Sequence, residues 1–201
     1  MNKILVWDWP VRIGHWLLVG GFILAWLTGD GESWRLVHVL AGGSVVGVAS
    51  FRLFWGFWGS RYARFADFVR GPQAARRYLL SLLKLQPEHH VGHNPAGGWA
   101  IVLLLGLGIA TGLAGWCIYN DIGSDVLEEL HEGLATAMLG VVFVHIAGVV
   151  SGSVLHGENL VRAMVDGKKA GLPQNAIRSA HPLAALVLLL WVASAAWWLA
   201  R

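Results

Sequence analysis

Cysteine and charge are both scarce in this chain of 201 residues, and each scarcity excludes a class of protein. The single cysteine, Cys117, excludes an internal disulfide framework, a four-cysteine iron-sulfur site and a C-x-x-C-H haem attachment. Charged residues make up 13% of the chain against 56% hydrophobic residues, and the mean hydropathy is +0.56. This balance lies outside the range of soluble domains and predicts an integral membrane protein. The net charge of +3 does not indicate nucleic-acid binding, because membrane topology explains where the basic residues lie.

Five apolar segments are long enough to cross a membrane as helices. They lie near residues 10–28, 34–57, 95–118, 126–154 and 182–200. Asp8 with Pro10, and Asn94 with Pro95, are typical of helix starts, where a capping side chain precedes a proline in the first turn. The sequence therefore predicts an all-α membrane protein: a bundle of four transmembrane helices followed by a fifth, C-terminal one.

The charged residues between the spans predict an orientation. Basic residues concentrate in residues 52–84 and 162–178, whereas the connections at 29–33 and 119–129 carry acidic residues and no basic one. The positive-inside rule then places the N-terminus in the cytoplasm, both acidic loops outside and the C-terminus in the periplasm. The linker at 60–90 alternates apolar and basic residues, which indicates an amphipathic helix on the cytoplasmic surface or a solvated linker helix.

Four histidines lie within the apolar segments. His131 and His145 are 14 residues apart in the fourth span, which puts them on nearly one helix face and about 21 Å apart along its axis. His38 matches the depth of His131 near the outer surface, and His15 matches that of His145 nearer the cytoplasm. A single intramembrane histidine can be a hydrogen-bonded packing residue, but two depth-matched pairs on facing helices suit a six-coordinate haem iron at each level.

Three arginines are predicted partners for haem propionates. Arg12 and Arg35 each precede a histidine by three residues, and Arg52 follows His38 by 14 residues, which returns it to the depth of the inner pair. A guanidinium binds a carboxylate with two hydrogen bonds. Arg12 can also be read as a topological anchor. Small residues beside the histidines leave room for a flat macrocycle or serve helix packing; they are Gly14, Gly42, Gly43 and Ala135.

The other candidates carry less weight. His156 is either a proton-exchanging group at a quinone site or a helix-end residue without chemistry. His89, His90 and His93 form a short cluster that is expected to be solvated rather than to bind a metal. Met138 lies between the fourth-span histidines but is expected to fill a gap in the core.

The chain resembles the bacterial cytochrome b561 and nickel-hydrogenase cytochrome b subunit family over residues 1 to about 170. The matching motifs occur in the family's order: WPVRIGHW at 9–16, RLVHVLAG at 35–42, GHNPAGGW at 92–99, LHEGLA at 130–135, HIAGV at 145–149 and HGENLVRAMVDGKK at 156–169. The resemblance implies a dihaem transmembrane domain over 1–170, with the iron ligands at His15, His38, His131 and His145. Residues 171–201 form a linker and an additional fifth span.

The family resemblance also implies a function. Such proteins carry electrons across the bacterial inner membrane, in the respiratory chain, between the quinone pool and a hydrogenase, a soluble c-type cytochrome or a molybdoenzyme. Two haem b and a diffusible quinone are the expected cofactors. Two other classes remain open: a histidine relay for protons or a transporter, and a haem-containing membrane anchor. Transporters commonly carry acids within the membrane, whereas the acids here lie in loops.

Overall fold

In the computed structural model, which describes residues 2–86 and 88–201, five helices have the length and composition of membrane spans. We number the helices along the chain. The spans are α1 (Trp9–Leu27), α2 (Arg35–Trp58), α5 (Pro95–Tyr119), α6 (Asp125–His156) and α8 (Pro182–Leu199). The five predicted spans are thus confirmed, with ends that differ by only a few residues.

The predicted helix starts are confirmed at atomic detail. Asp8 precedes α1 and its carboxylate accepts a hydrogen bond from the Val11 backbone nitrogen at 2.8 Å, while Asn94 precedes α5 and accepts from Gly97 at 2.7 Å. Each side chain satisfies an amide that has no partner within its helix. Local sequence therefore fixes where these two spans begin.

The spanning helices pack in a definite order. α2 is central and packs against α1, α5 and α8, while α6 packs along α5. Gly43 and Gly47 allow the close approach of α8, because an added Cβ would lie 2.9 Å from the Ala196 Cα atom and 3.0 Å from the Val192 Cα atom respectively. The fifth span is therefore packed into the bundle through α2.

Loops gather at one end of the bundle into an ordered layer, which we call the cap and which comprises residues 2–8, 60–68, 88–94 and 158–180. Strand β1 (Asn2–Leu5) pairs antiparallel with strand β2 (Lys168–Gly171), and β2 crosses the predicted boundary between residues 170 and 171. Helix α7 (Leu160–Asp166) precedes β2. Val6, Trp7 and Tyr62 belong to a buried apolar cluster in this layer. The cap therefore has a small hydrophobic core of its own.

Between residues 60 and 86 the linker is interrupted rather than one amphipathic helix. A 3-10 turn at Arg61–Ala63 leads into α3 (Phe65–Phe68), and α4 (Pro72–Leu83) begins after a break at residues 69–71. The break has a physical cause, because proline is favoured in a first helical turn and disfavours helix in the residue before it. Phe68 and Tyr78 are buried, so part of the linker belongs to the protein interior.

Candidate functional site

The histidines of the outer predicted pair, His38 on α2 and His131 on α6, meet at the end of the bundle opposite the cap, which we call the acidic end. Their ring centres are 6.0 Å apart. His38 Nδ1 lies 2.9 Å from the Ala25 carbonyl oxygen and His131 Nδ1 lies 2.9 Å from that of Thr111. Because a carbonyl only accepts, Nδ1 carries the proton in each neutral ring and donates it. Both Nε2 atoms therefore keep a lone pair for a metal.

The space at this pair suits a haem. Two imidazoles that bound one metal ion through bonds of about 2 Å would have ring centres roughly 6 Å apart, and the His38 and His131 rings are at that separation. Gly42 lies one turn after His38 and faces open space, since an added Cβ would have no neighbour within 4 Å. At Gly115 on α5 an added Cβ would lie 2.8 Å from His131 Cε1. The backbone of Gly115, which has no side chain, therefore lies directly against the His131 ring. The two histidine nitrogens that remain free are suitable ligands for an iron bound by two histidines.

The inner predicted pair, His15 on α1 and His145 on α6, lies nearer the cap. The two side chains are close enough for their charges to interact. His15 Nδ1 is buried and has no hydrogen-bond partner among the described residues, and the Trp16 ring stands edge-on to the His15 ring at 5.1 Å. The structure thus brings the outer pair into ring contact and places His15 and His145 near each other.

Both pairs bridge helices that do not otherwise pack closely. Within residues 2–86 and 88–201, α6 packs along α5 and contacts α7, but it shares no comparable interface with α1 or α2. The histidines that face α6 lie on α1 and α2. The histidine pairs therefore join α6 to α1 and α2 where these helices have little other contact, and a helix bundle holds a cofactor between side chains on facing helices.

The three predicted arginines occupy different surroundings. Arg35 is exposed at the acidic end and its guanidinium lies 5.0 Å from the centre of the Tyr119 ring. Arg12 donates to the Val165 carbonyl and lies over the Trp9 ring, while its Nε is buried without a partner among the described residues. These two guanidinium groups retain free donors beside His38 and His15.

Arg52 is buried and is partly committed to the cap. It donates to the Ala63 carbonyl at 2.7 Å and interacts with the nearby Asp8 charge. Asp8 is fully buried, and its second oxygen accepts a hydrogen bond from Trp55 Nε1 at 2.9 Å. Arg52 thus connects α2 to the cap.

His156 is the last residue of α6 and contacts a histidine from the predicted solvated cluster. Its ring centre lies 5.6 Å from that of His89. Nearby, Lys169 Nζ lies 3.4 Å from Glu158 and donates to the His90 carbonyl at 3.1 Å. Burial lowers the pKa of Lys169, and the Glu158 carboxylate partly offsets this by its charge and hydrogen bond. The end of α6 is therefore surrounded by ionisable groups.

The prediction of a solvated cluster is wrong for His93. Its ring packs between Trp7, at 4.4 Å, and Phe68, at 4.8 Å. Burial lowers the pKa of His93 well below its usual value, and Arg52 and Lys169 lower it further, so the ring is neutral. The cause is the pairing of β1 with β2, which brings Trp7 over the loop before α5. No group of three or more metal-ligating side chains comes together in the described part of the chain.

Sequence reasoning missed the contribution of α1 and α5 to the outer pair. The acceptors at Ala25 and Thr111 are backbone carbonyls, which every residue has, so the sequence cannot single them out. Gly115 could not be singled out either, because the chain has 26 glycines. For two of the glycines beside the histidines the structure shows helix packing, the second of the two roles considered: an added Cβ at Gly14 would meet Val48 and Leu188, and Gly43 contacts α8. Met138 is buried and lies near Gly108, as expected for a core residue.

An all-α bundle with five membrane spans and facing histidine pairs defines a multi-pass membrane protein of the haem-binding type. A profile of the prokaryotic cytochrome b561 family matches residues 6–167, and the chain belongs to that family. The family resemblance drawn from the motifs is therefore confirmed. Membership makes the chain a membrane cytochrome of the b type, with haem b as its cofactor and electron transport as its role.

Similar proteins come from several bacteria. The chain is 25% identical to a probable Ni/Fe-hydrogenase B-type cytochrome subunit of Rhodobacter capsulatus, over 84% of this chain and 82% of that protein. It is 24% identical to the protein of the same description in Rhizobium leguminosarum bv. viciae, over 84% and 89%. A probable Ni/Fe-hydrogenase 1 B-type cytochrome subunit of Escherichia coli K12 is 28% identical over 58% and 60%. No solved structure matches the chain.

Proposed function

We propose that this protein is a dihaem b-type cytochrome that carries electrons across the bacterial inner membrane between the quinone pool and a redox partner. His38 and His131 hold one haem at the acidic end, and His15 and His145 hold the other near the cap. The observation that carries the proposal is the outer pair, whose rings lie 6.0 Å apart with both Nδ1 atoms committed to carbonyl acceptors.

The bound haems supply the one-electron chemistry, and the protein supplies everything around it. The Ala25 and Thr111 carbonyls orient the His38 and His131 rings and raise the basicity of their Nε2 atoms. Arg35 at the acidic end and Arg12 near the cap bind propionates through their free donors, and Arg52 adds a buried positive charge near the cap.

The orientation of the proposed pathway follows from the charges. The basic residues lie in and around the cap, which we place in the cytoplasm together with the N-terminus. The acidic end faces the periplasm, where α8 also ends. There its exposed carboxylates Asp121, Asp125 and Glu128 would steer a basic partner such as a c-type cytochrome.

We propose a hydrogenase as the first partner to test. The similar proteins are described as probable B-type cytochrome subunits of Ni/Fe hydrogenases, and two of them align over more than four fifths of this chain. A soluble cytochrome c or a molybdoenzyme is the alternative. We further propose that quinone exchange occurs at the cap end, where His156 lies beside His89 and can exchange a proton.

Residues 1–170 hold both haems in this proposal, and residues 171–201 support them from outside the four-helix core. Packing of α8 against Gly43 and Gly47 of α2 favours this division of roles. The fifth span also covers one face of α2, so any further membrane subunit must dock elsewhere.

Haem content tests the proposal directly. The pyridine haemochrome assay on purified wild-type protein should give two haem b per chain. His38→Ala and His131→Ala should each lose the same haem, identified by its midpoint potential, and His15→Ala and His145→Ala should lose the other. His181→Ala is the matched control, because His181 lies at the start of α8 outside both pairs, and it should retain two haems. A colourless protein, or loss of different haems from His38→Ala and His131→Ala, would overturn the assignment.

A further inference from the structure

His93 is a partly buried histidine that neither predicted pair uses. It lies in the loop directly before Asn94, the residue that caps α5. Trp7 packs on the ring at 4.4 Å and Phe68 packs on it at 4.8 Å. Its position is therefore fixed by β1 and its neighbours on one side and by α3 on the other.

One polar atom of this ring lacks a hydrogen bond. His93 Nδ1 is buried and has no partner among the described residues, while the Tyr62 backbone carbonyl lies close enough to the ring to favour its protonated form. A buried polar group left unpaired costs about 1–3 kcal/mol. The arrangement therefore indicates a partner that the polypeptide itself does not provide.

The charges around His93 specify the chemistry of that partner. Arg52, Lys169 and His145 are the groups whose charge acts unfavourably on a protonated His93. Lys169 is paired with Glu158. Asp8, the buried carboxylate near Arg52, already accepts hydrogen bonds from Val11 and Trp55. An anion with free acceptor oxygens is thus the missing member of this cluster.

The neighbourhood of His145 identifies the anion. Under the proposed function, on which this inference rests, His145 holds the haem nearer the cap, and haem carries two propionates. Arg52 is held by the Ala63 carbonyl, and its guanidinium lies 5.8 Å from the centre of the Phe68 ring that also contacts His93. Phe68 therefore neighbours both Arg52 and His93, and the two side chains are near enough for their charges to interact, so both can contribute to binding one carboxylate.

We propose that His93, together with Arg52, binds a propionate of the haem held by His15 and His145, with His93 Nδ1–H donating to a carboxylate oxygen. His93 is a binding residue for the cofactor, not an iron ligand. It also ties haem retention to the cap, because Trp7 and Phe68 hold the ring in place.

Two substitutions separate this role from simple packing. His93→Phe keeps an aromatic ring between Trp7 and Phe68 but removes the donor, whereas His93→Asn loses the ring but keeps an N–H donor close to the position of Nδ1. His90→Phe is the control, because it removes a neighbouring imidazole of the same loop that packs on Tyr78. Each variant is purified with both haems and is assayed for the midpoint potential of each haem and for the rate of haem transfer to apomyoglobin.

Removing the donor leaves a propionate charge less well compensated, which disfavours the reduced, more negative haem. In His93→Phe the midpoint potential of the cap-end haem should therefore fall and its transfer rate should rise several-fold, while the acidic-end haem is unchanged. His93→Asn should restore most of the potential, and His90→Phe should match wild type.

Three results would overturn the inference. They are unchanged values for the cap-end haem in His93→Phe, equal changes in both haems, and a His93→Asn variant as impaired as His93→Phe. A wild-type protein without a haem that depends on His15 would refute the proposed function first, and this inference with it.

Discussion

The two ends of the bundle present their histidines in opposite ways. At the acidic end the surrounding loop residues are exposed, and the orientation of His38 and His131 depends on carbonyls of neighbouring spans. At the other end His15 and His145 lie beneath a cap with its own apolar cluster and a buried Lys169–Glu158 ion pair. The acidic end thus orients its histidines through backbone carbonyls of neighbouring helices, whereas the cap end is ordered by tertiary contacts between loops.

The difference indicates what each end is built to do. Under the proposed function, the exposed acidic end would be the side from which a soluble partner reaches its histidine pair, whereas the layered end would shield its pair from water. Substitutions confined to one end should therefore leave the other end intact.

The largest effect is expected from Gly115→Ala at the acidic end. The added methyl would lie 2.8 Å from His131 Cε1, and the ring cannot yield without breaking its hydrogen bond to Thr111. We expect loss of the acidic-end haem and retention of the other, measured by the pyridine haemochrome assay with redox titration. Gly106→Ala is the control on the same helix, since its methyl meets no atom within 4 Å. Two haems in Gly115→Ala would show that α5 does not set the position of His131.

The next effect is confined to the cap and follows from Lys169→Met. The side chains of Lys169 and Glu158 are 5% and 17% exposed, so the substitution leaves a largely buried carboxylate unpaired. Breaking such a pair costs about 3 kcal/mol. Amide hydrogen exchange of Lys168–Gly171 should accelerate accordingly, and Glu158→Gln in the same chain should restore part of the protection. Lys168→Met, at the exposed neighbouring residue, should leave the exchange rates unchanged. Faster exchange in Lys168→Met would indicate that the effect comes from weakened strand pairing and not from loss of the ion pair.

A smaller effect, shared by both ends, is expected from Gly47→Val in the centre of α2. Even a Cβ at this position would lie 3.0 Å from Val192 Cα and Ala195 Cβ of α8, so α8 must move away. Overpacking of this kind costs about 1–3 kcal/mol. The thermal midpoint in detergent should fall, whereas Gly20→Val, at a position with no neighbour within 4 Å, should leave it close to wild type. An unchanged midpoint in Gly47→Val would mean that α8 contributes little to the bundle.

The smallest effect is a pH dependence of the cap in cofactor-free protein. Burial is the largest cause that lowers the pKa of both His90 and His93. In the open state these imidazoles titrate near pH 6.5, so below that value the open state binds protons that the closed state does not, and cap stability falls. Exchange of the β1 and β2 amides, corrected for intrinsic rates, should reveal the loss between about pH 7 and pH 5. His93→Phe should flatten the profile, and an unchanged slope would show that His93 is not the titrating group.

Much of the membrane fold could be predicted because its signals are local. Hydropathy located the spans, and the pairs Asp8 with Pro10 and Asn94 with Pro95 marked two helix starts. The depth of each histidine followed from counting residues along continuous helices, since helical rise is constant. These rules hold within single elements, and a bilayer restricts how elements can be arranged.

The cap could not be predicted, because it depends on contacts between distant segments. Strand β1 has four residues and pairs with β2 more than 160 positions later, so neither strand carries a recognisable pattern. For the same reason His93 was expected to be solvated, although Trp7 covers it. The partner of Gly43 was likewise hidden, because a small residue does not indicate which helix approaches it.

The packing of α8 against α2 has a consequence for biogenesis. Ser50 on α2 accepts a hydrogen bond from Trp191 of α8, and these residues are separated by 141 positions. During synthesis α2 enters the membrane with that flank uncovered, and α5 and α6 are inserted before its partner emerges. We therefore expect both haem levels to be complete in their ligands while the bundle is still open at α2, so that cofactor loading and final closure are separate steps in maturation.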